Sequence, residues 1–220
     1  MTKNGSGAYY SHYNPEKKSA SLDFSGCFPF YPGDTACYRN DSTVFLYVAH
    51  SYLSAYYEIK RAIREGFDEN QEKRVQHLII PVYYLYRHYV EMELKSFFMA
   101  LKKERADNTH ELLRLHASVQ VLTENCDGIE GNCKADEFGK IKKEAIDHLN
   151  VLKNLIEQYQ QMEPFHEFYR YLYDSRINLP VTEVNFDYAK HDELFTRITK
   201  ELQALEACFS EMIGFNYLMG

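Results

Sequence analysis

Glycine and proline are scarce, 10 and 6 in 220 residues, and tryptophan is absent. An architecture of many short strands and tight turns needs more of the first two, so long helices are favoured. A basic excess is missing as well: 25 Lys and Arg face 32 Asp and Glu, for a net charge of −7. Broad, sequence-independent binding to nucleic acid requires many cations to neutralise phosphates, and this balance argues against it. A local basic pocket remains compatible with it. The five cysteines, Cys27, Cys37, Cys126, Cys133 and Cys208, are odd in number and contain no C-x-x-C. A reduced, cytoplasmic chain fits them better than a disulfide framework or a zinc site. The N-terminal MTKNGSGAYY carries no apolar leader core. The longest apolar run, Leu78 to Tyr86, is too short to span a bilayer and contains Pro81, so no membrane association is expected.

What the chain does have is 45% hydrophobic residues and 19 tyrosines. That is enough apolar matter for a core, and tyrosine can bury its ring while its hydroxyl keeps a polar partner. The richest stretch is Gln71 to Lys103. One of its faces carries Leu78, Val82, Leu85, Tyr89, Met92, Ser96 and Met99; another carries Ile79, Tyr83, Tyr86, Val90, Leu94, Phe97 and Leu101. A helix apolar on two sides is expected to be surrounded by other helices. Arg87, Glu91 and Lys95, four residues apart, nevertheless stack into a charged stripe along it, with His88 beside them. Pro81 predicts a kink or break.

Around this axis the periodicity predicts an all-α fold, an antiparallel bundle of four to five helices over residues 41–220. An irregular, aromatic N-terminal arm covers residues 1–40, where no helical period is found. The first helix should start at Asp41 or Ser42 and end near Gly66, with Val44, Val48, Ser51, Ala55, Ile59 and Ala62 inward. A third should run from His110, capped by Thr109, to about Thr123. A fourth should span Asp136 to Met162, with Phe138, Ile141, Ala145, Leu149, Leu152, Ile156 and Tyr159 inward. The last should run from Lys190 to Ile213, burying Leu194, Ile198, Leu202, Leu205, Phe209 and Met212. Between these last two, residues 165–186 are expected to hold a short helix and an extended segment.

Several chemistries lack their motifs. There is no phosphate-binding glycine loop and no nucleotide or other cofactor fingerprint. His110-Glu-Leu-Leu-Arg114 is not H-E-x-x-H, and the acidic loop from Cys126 to Asp136 lacks calcium-ligand spacing. No metal ligand set is therefore assigned. His50, His77, His116, His148 and His191 are expected at the surface or the edge of the core.

Three patches in order carry a resemblance. Tyr86-Arg87-His88, then Glu91, then Leu94-Lys95, is similar to the R-H-x-x-E-x-x-L-K helix of HEPN-superfamily proteins. Thr109-His110-Glu111-Leu112 resembles the H-[DE]-L segment that follows it. Phe168 to Asp174 looks like the later F-R-Y-x-x-D segment, with an extra Tyr before Arg170. The similarity covers roughly residues 42–215. It implies an all-α bundle, often a homodimer, in a superfamily that includes RNA-cutting toxins, antiphage defence proteins and members without catalysis. A cognate partner protein is implied where the setting is a toxin–antitoxin pair. Active members use an R-x4–6-H motif whose Arg binds phosphate and whose His transfers a proton in cleavage assisted by the ribose 2′-hydroxyl. Here the matching pair is Arg105 and His110, located in a turn; Arg170 and Arg176 have no His at that spacing.

The charged stripe thus has three readings, the plainest being a solvated face with no role. In the second, Arg87, Glu91 and Lys95 form an ion-paired seam closing the bundle, with His110 or Asp174 as outside partners. In the third, Arg87, His88, Glu91, His110 and Arg170 line a small polar pocket for RNA or a nucleotide. The functions in view are an RNA-handling HEPN-like protein and a non-catalytic dimeric interaction module.

Overall fold

A computed structural model describes residues 11–14, 19–22, 42–68, 72–104, 106, 109–126, 135–162, 173–174, 179–180 and 187–213. The chain divides into two units, Met1–Asn40 with Leu218–Gly220, and Asp41–Tyr217. In the first unit β1 (Ser11–Asn14) and β2 (Ser19–Leu22) pair antiparallel, Ser11 opposite Leu22. Among the described residues the irregular arm expected there thus includes one short hairpin.

The second unit is an all-α helical bundle. Its helices are α1 (Ser42–Asp68), α2 (Glu72–Lys102), α3 (Leu112–Glu124), α4 (Ala135–Met162) and α5 (Tyr188–Ile213). Between α4 and α5, β3 (Tyr173–Asp174) pairs antiparallel with β4 (Leu179–Pro180), matching the extended part of the expectation for that region. The α1 and α2 helices run antiparallel: the Ser96 hydroxyl donates to the Ser42 carbonyl at 2.9 Å, while Tyr56 packs on Tyr86 at 5.0 Å. The α4 and α5 helices are also antiparallel, joined by His148–Glu201 and Tyr159–Phe195. Tyr86 meets Phe195 and Phe97 meets Phe209, so α2 and α5 run in the same direction.

The α2 helix lies between α1, α3 and α5, and every residue from Glu93 to Met99 is buried. That is the environment its two apolar faces require. It passes Pro81 without interruption. Proline removes the hydrogen bond to the carbonyl four residues back; that residue, His77, is exposed, so water can take the acceptor. The helix ends where Lys103 adopts left-handed backbone (φ 56°) and donates to the Met99 carbonyl.

The inner faces of α4 and α5 are as expected for Ala145, Leu149, Leu152, Ile156 and Tyr159, and for all six positions named on α5, whereas Phe138 and Ile141 at the start of α4 are only partly buried. The face of α1 is rotated from the one expected. Leu46, Ala49, Leu53, Tyr56 and Ile63 are buried, whereas Val44, Val48, Ala55, Ile59 and Ala62 are partly exposed and Ser51 is exposed. Tyr56 decides this, because its ring fills the space beside Tyr86 and Phe195. At the centre Tyr86 stacks on Phe195 with centroids 3.9 Å apart. Its hydroxyl donates to the Phe195 carbonyl at 2.5 Å. The Tyr83 hydroxyl bonds the ring of His191, which is buried rather than peripheral.

Phe97 is fully buried against Phe209, so Phe97→Ala should cost about 3–5 kcal/mol in urea unfolding. Val121→Ser, at a position 56% exposed, should change stability by less than about 0.5 kcal/mol. Equal effects would contradict this packing. Burial lowers the His191 pKa from its ordinary 6.5 to about 4. The unfolded chain then binds the extra proton first, so stability should be held above about pH 6.5 and decline as pH falls towards about 4. His191→Phe should flatten that decline in denaturation measured across the window; an unchanged slope would assign it to other groups.

Candidate functional site

The charged stripe of α2 is buried, with Arg87 5%, Glu91 2% and Lys95 7% exposed. Glu91 Oε1 accepts from Lys95 Nζ at 2.7 Å, one turn along the helix, and from His110 Nδ1 at 2.9 Å. The Arg87 Nη2 group donates to the His110 carbonyl at 2.7 Å. One residue of the α2–α3 connection is therefore held by backbone and ring to two successive turns of α2. Burial raises the Glu91 carboxyl, but Lys95 and His110 more than offset it and hold it below the usual carboxylate range.

Local sequence sets up this grip. The α3 helix starts at Leu112, not at His110 as the sequence suggests, and its first backbone bond runs from Leu115 to the Glu111 carbonyl. The His110 carbonyl precedes the helical ladder, so it is available to Arg87. Thr109 does not cap the helix; its hydroxyl accepts from the Glu111 N–H at 3.2 Å and closes the turn. Leu112 and Leu115 are buried and anchor α3, while the His110 side chain is 46% exposed. With Nδ1–H donated to Glu91, the tautomer leaves a lone pair on Nε2. A buried carboxylate orienting a half-exposed imidazole is an arrangement suited to proton transfer.

Of the residues proposed from sequence, Arg87, Glu91 and His110 meet, and Lys95 joins them from the same stripe. His88 is engaged on the α1 side: its ring lies 4.1 Å from Tyr84 and 5.3 Å from Tyr52, and Nδ1 contacts the Tyr84 carbonyl. Arg105 and Arg170 lie outside the described residues. Asp174 is described only as part of β3. His116 is buried, with Nε2 2.8 Å from the Leu149 carbonyl, so it too departs from the expected place at the surface or core edge.

A second polar centre lies on the other side of α2, with no counterpart in the sequence reading. His50 of α1 contacts Glu206 of α5 at 2.9 Å and Glu93 of α2 at 3.3 Å, both through Nε2. Burial disfavours charge on His50, but Glu206 and Glu93 outweigh it and raise its pKa to about 10. Glu93 is fully buried, and burial pushes its carboxyl well above the usual range. The signal was present but unread: Glu93 interrupts the apolar run Tyr89, Val90, Leu94, Phe97 at helical spacing. Cys126 and Cys208, the described cysteines, are buried thiols in no disulfide, and Cys126 Sγ donates to the Thr123 carbonyl at 2.9 Å.

No helix among the described residues is long and apolar enough to cross a membrane. Compared with protein-family models, curated proteins and solved structures, the chain matches none of them.

Glu91→Gln would leave Lys95 buried without its counter-charge. It should cost about 3 kcal/mol and lower Tm by several degrees in calorimetry. An unchanged Tm would place the Glu91 carboxylate in solvent.

Proposed function

We propose that the chain is a HEPN-like RNA-handling protein in which His110, oriented by Glu91, is the proton-transfer group. The single observation that carries this reading is the Glu91–His110 contact, which joins a wholly buried carboxylate to an imidazole that solvent can reach. The R-H-x-x-E-x-x-L-K and T-H-E-L patches supply the same two residues from the resemblance, so the sequence and the geometry agree on one pair. In the tautomer that donates Nδ1–H to Glu91, Nε2 can accept the proton of a ribose 2′-hydroxyl as it attacks the adjacent phosphate, while the P–O5′ bond breaks and the leaving 5′-oxygen takes a proton from water, giving a 2′,3′-cyclic phosphate. Arg105, five residues before His110, is assigned the phosphate-binding role by the R-x4–6-H spacing. The resemblance places such a protein in bacterial defence or a toxin–antitoxin pair.

A second reading has its own support. Arg87 and Lys95 are buried and already bonded, to the His110 carbonyl and to Glu91, which is how a seam that only closes the bundle would use them. On that reading the protein is a non-catalytic, dimeric interaction module.

The two separate on purified protein incubated with total RNA. Cleavage by the unaltered chain that falls about 10²–10⁴-fold in His110→Ala, with folding retained by circular dichroism, supports the first. Intact RNA at high protein excess, from a chain that is a stable dimer by light scattering, contradicts it and leaves the interaction module.

A further inference from the structure

The second polar centre is built differently from an ordinary ion pair. Glu93 is 0% exposed, and neither of its carboxylate oxygens has a hydrogen-bond partner. Its contact with His50, at 3.3 Å, is close enough for charge attraction, but the shorter bond of the His50 Nε2 goes to Glu206. A carboxyl group in a dry core without hydrogen bonds is costly, and native structures rarely keep one without a compensating ion or ligand. The Tyr89 hydroxyl, one helical turn before Glu93, is also buried and lacks a hydrogen bond. Glu93 Oε1 thus has only the His50 ion pair, and Glu93 Oε2 and the Tyr89 hydroxyl lack a hydrogen bond.

The three ligand atoms converge. One nitrogen of His50 and one oxygen each of Glu93 and Glu206 all lie within 4.8 Å of one another. Ligands bound at about 2.0–2.2 Å to one ion in tetrahedral or octahedral geometry stand roughly 3–3.5 Å apart. The contacts at 2.9 and 3.3 Å already match that spacing. Each ligand comes from a different helix, α1, α2 and α5, so the arrangement does not depend on one flexible loop. The side chains of His50 and Glu206 are 29% and 18% exposed, which provides a route from solvent to the buried Glu93.

We propose that His50, Glu93 and Glu206 form a binding site for a divalent first-row transition-metal ion. The imidazole nitrogen disfavours calcium and magnesium, which take oxygen ligands, and the mixed nitrogen and carboxylate set suits zinc or manganese. Three protein ligands leave a coordination position open to water. On binding, the ion displaces the proton that His50 Nε2 shares with the two carboxylates and releases it to solvent, and it ties the three helices together at their contact. This site is separate from the Glu91–His110 pair and does not depend on RNA cleavage.

The test is ion uptake by the full chain after chelator treatment and dialysis. Titration with zinc chloride and with manganese chloride by calorimetry should give about one ion per chain for at least one metal. Tm should rise with free ion concentration, since the ion binds the folded state. Glu93→Gln and Glu206→Gln should each weaken binding at least tenfold. Glu206→Gln is the decisive variant, because its residue is at the edge of the core and its loss does not disturb folding as a change at Glu93 can. Cobalt substitution should give a visible absorption band that Glu206→Gln removes, which distinguishes this site from the thiols of Cys126 and Cys208. No uptake of either ion at millimolar concentration overturns the proposal. So does uptake undiminished in a folded Glu206→Gln, since that places the ion elsewhere.

Discussion

A carboxylate in the middle of a helix buried on all sides must find cations or cost the fold several kcal/mol. Glu91 finds Lys95 one turn away on its own helix and His110 from the connection to α3. The second of these contacts has the wider consequence. It fixes where the chain returns to α2 after the helix ends at Lys102, and Arg87 fixes the same residue through its carbonyl. The start of α3 and the exposure of the His110 ring both follow from that attachment.

The α2 helix carries two acidic residues only two positions apart that serve different neighbours. Successive residues are turned about 100° on a helix, so Glu91 and Glu93 face nearly opposite ways. Glu91 faces the α3 connection and is satisfied by two donors. Glu93 faces α1 and α5 and lacks a hydrogen bond. The contrast separates a carboxylate held by two close donors from one held only by an ion pair with His50. Both sit where the helix is most enclosed, so the surrounding apolar side chains strengthen each interaction by excluding water.

Much of the architecture was legible because apolar spacing reports directly on burial. The long periods of α4 and α5 left little choice of face, and most of the inward residues the spacing named are buried, Phe138 and Ile141 near the start of α4 only partly. On α1 several registers were almost equally apolar, and the face was settled by the fit of Tyr56 to rings on two other helices, which no local pattern encodes. The boundary of α3 was misplaced because Thr109 is a good cap by type, whereas the chain spends its hydroxyl on the Glu111 N–H. The Glu91–His110 pair was legible through its placement in two motif patches. The pairing of Glu93 with His50 and Glu206 was not, since its members lie 43 and 113 residues apart in sequence and become neighbours only when α1, α2 and α5 pack.

The relation between Glu91 and His110 is best measured as a coupling energy. Stability by urea denaturation is compared for the unaltered chain, Glu91→Gln, His110→Ala and the double variant. Direct contact in a buried setting predicts that the two costs fail to add, with an interaction of about 1–3 kcal/mol. Additivity within about 0.3 kcal/mol would show that carboxylate and imidazole act independently, and the junction on which the site rests would be refuted.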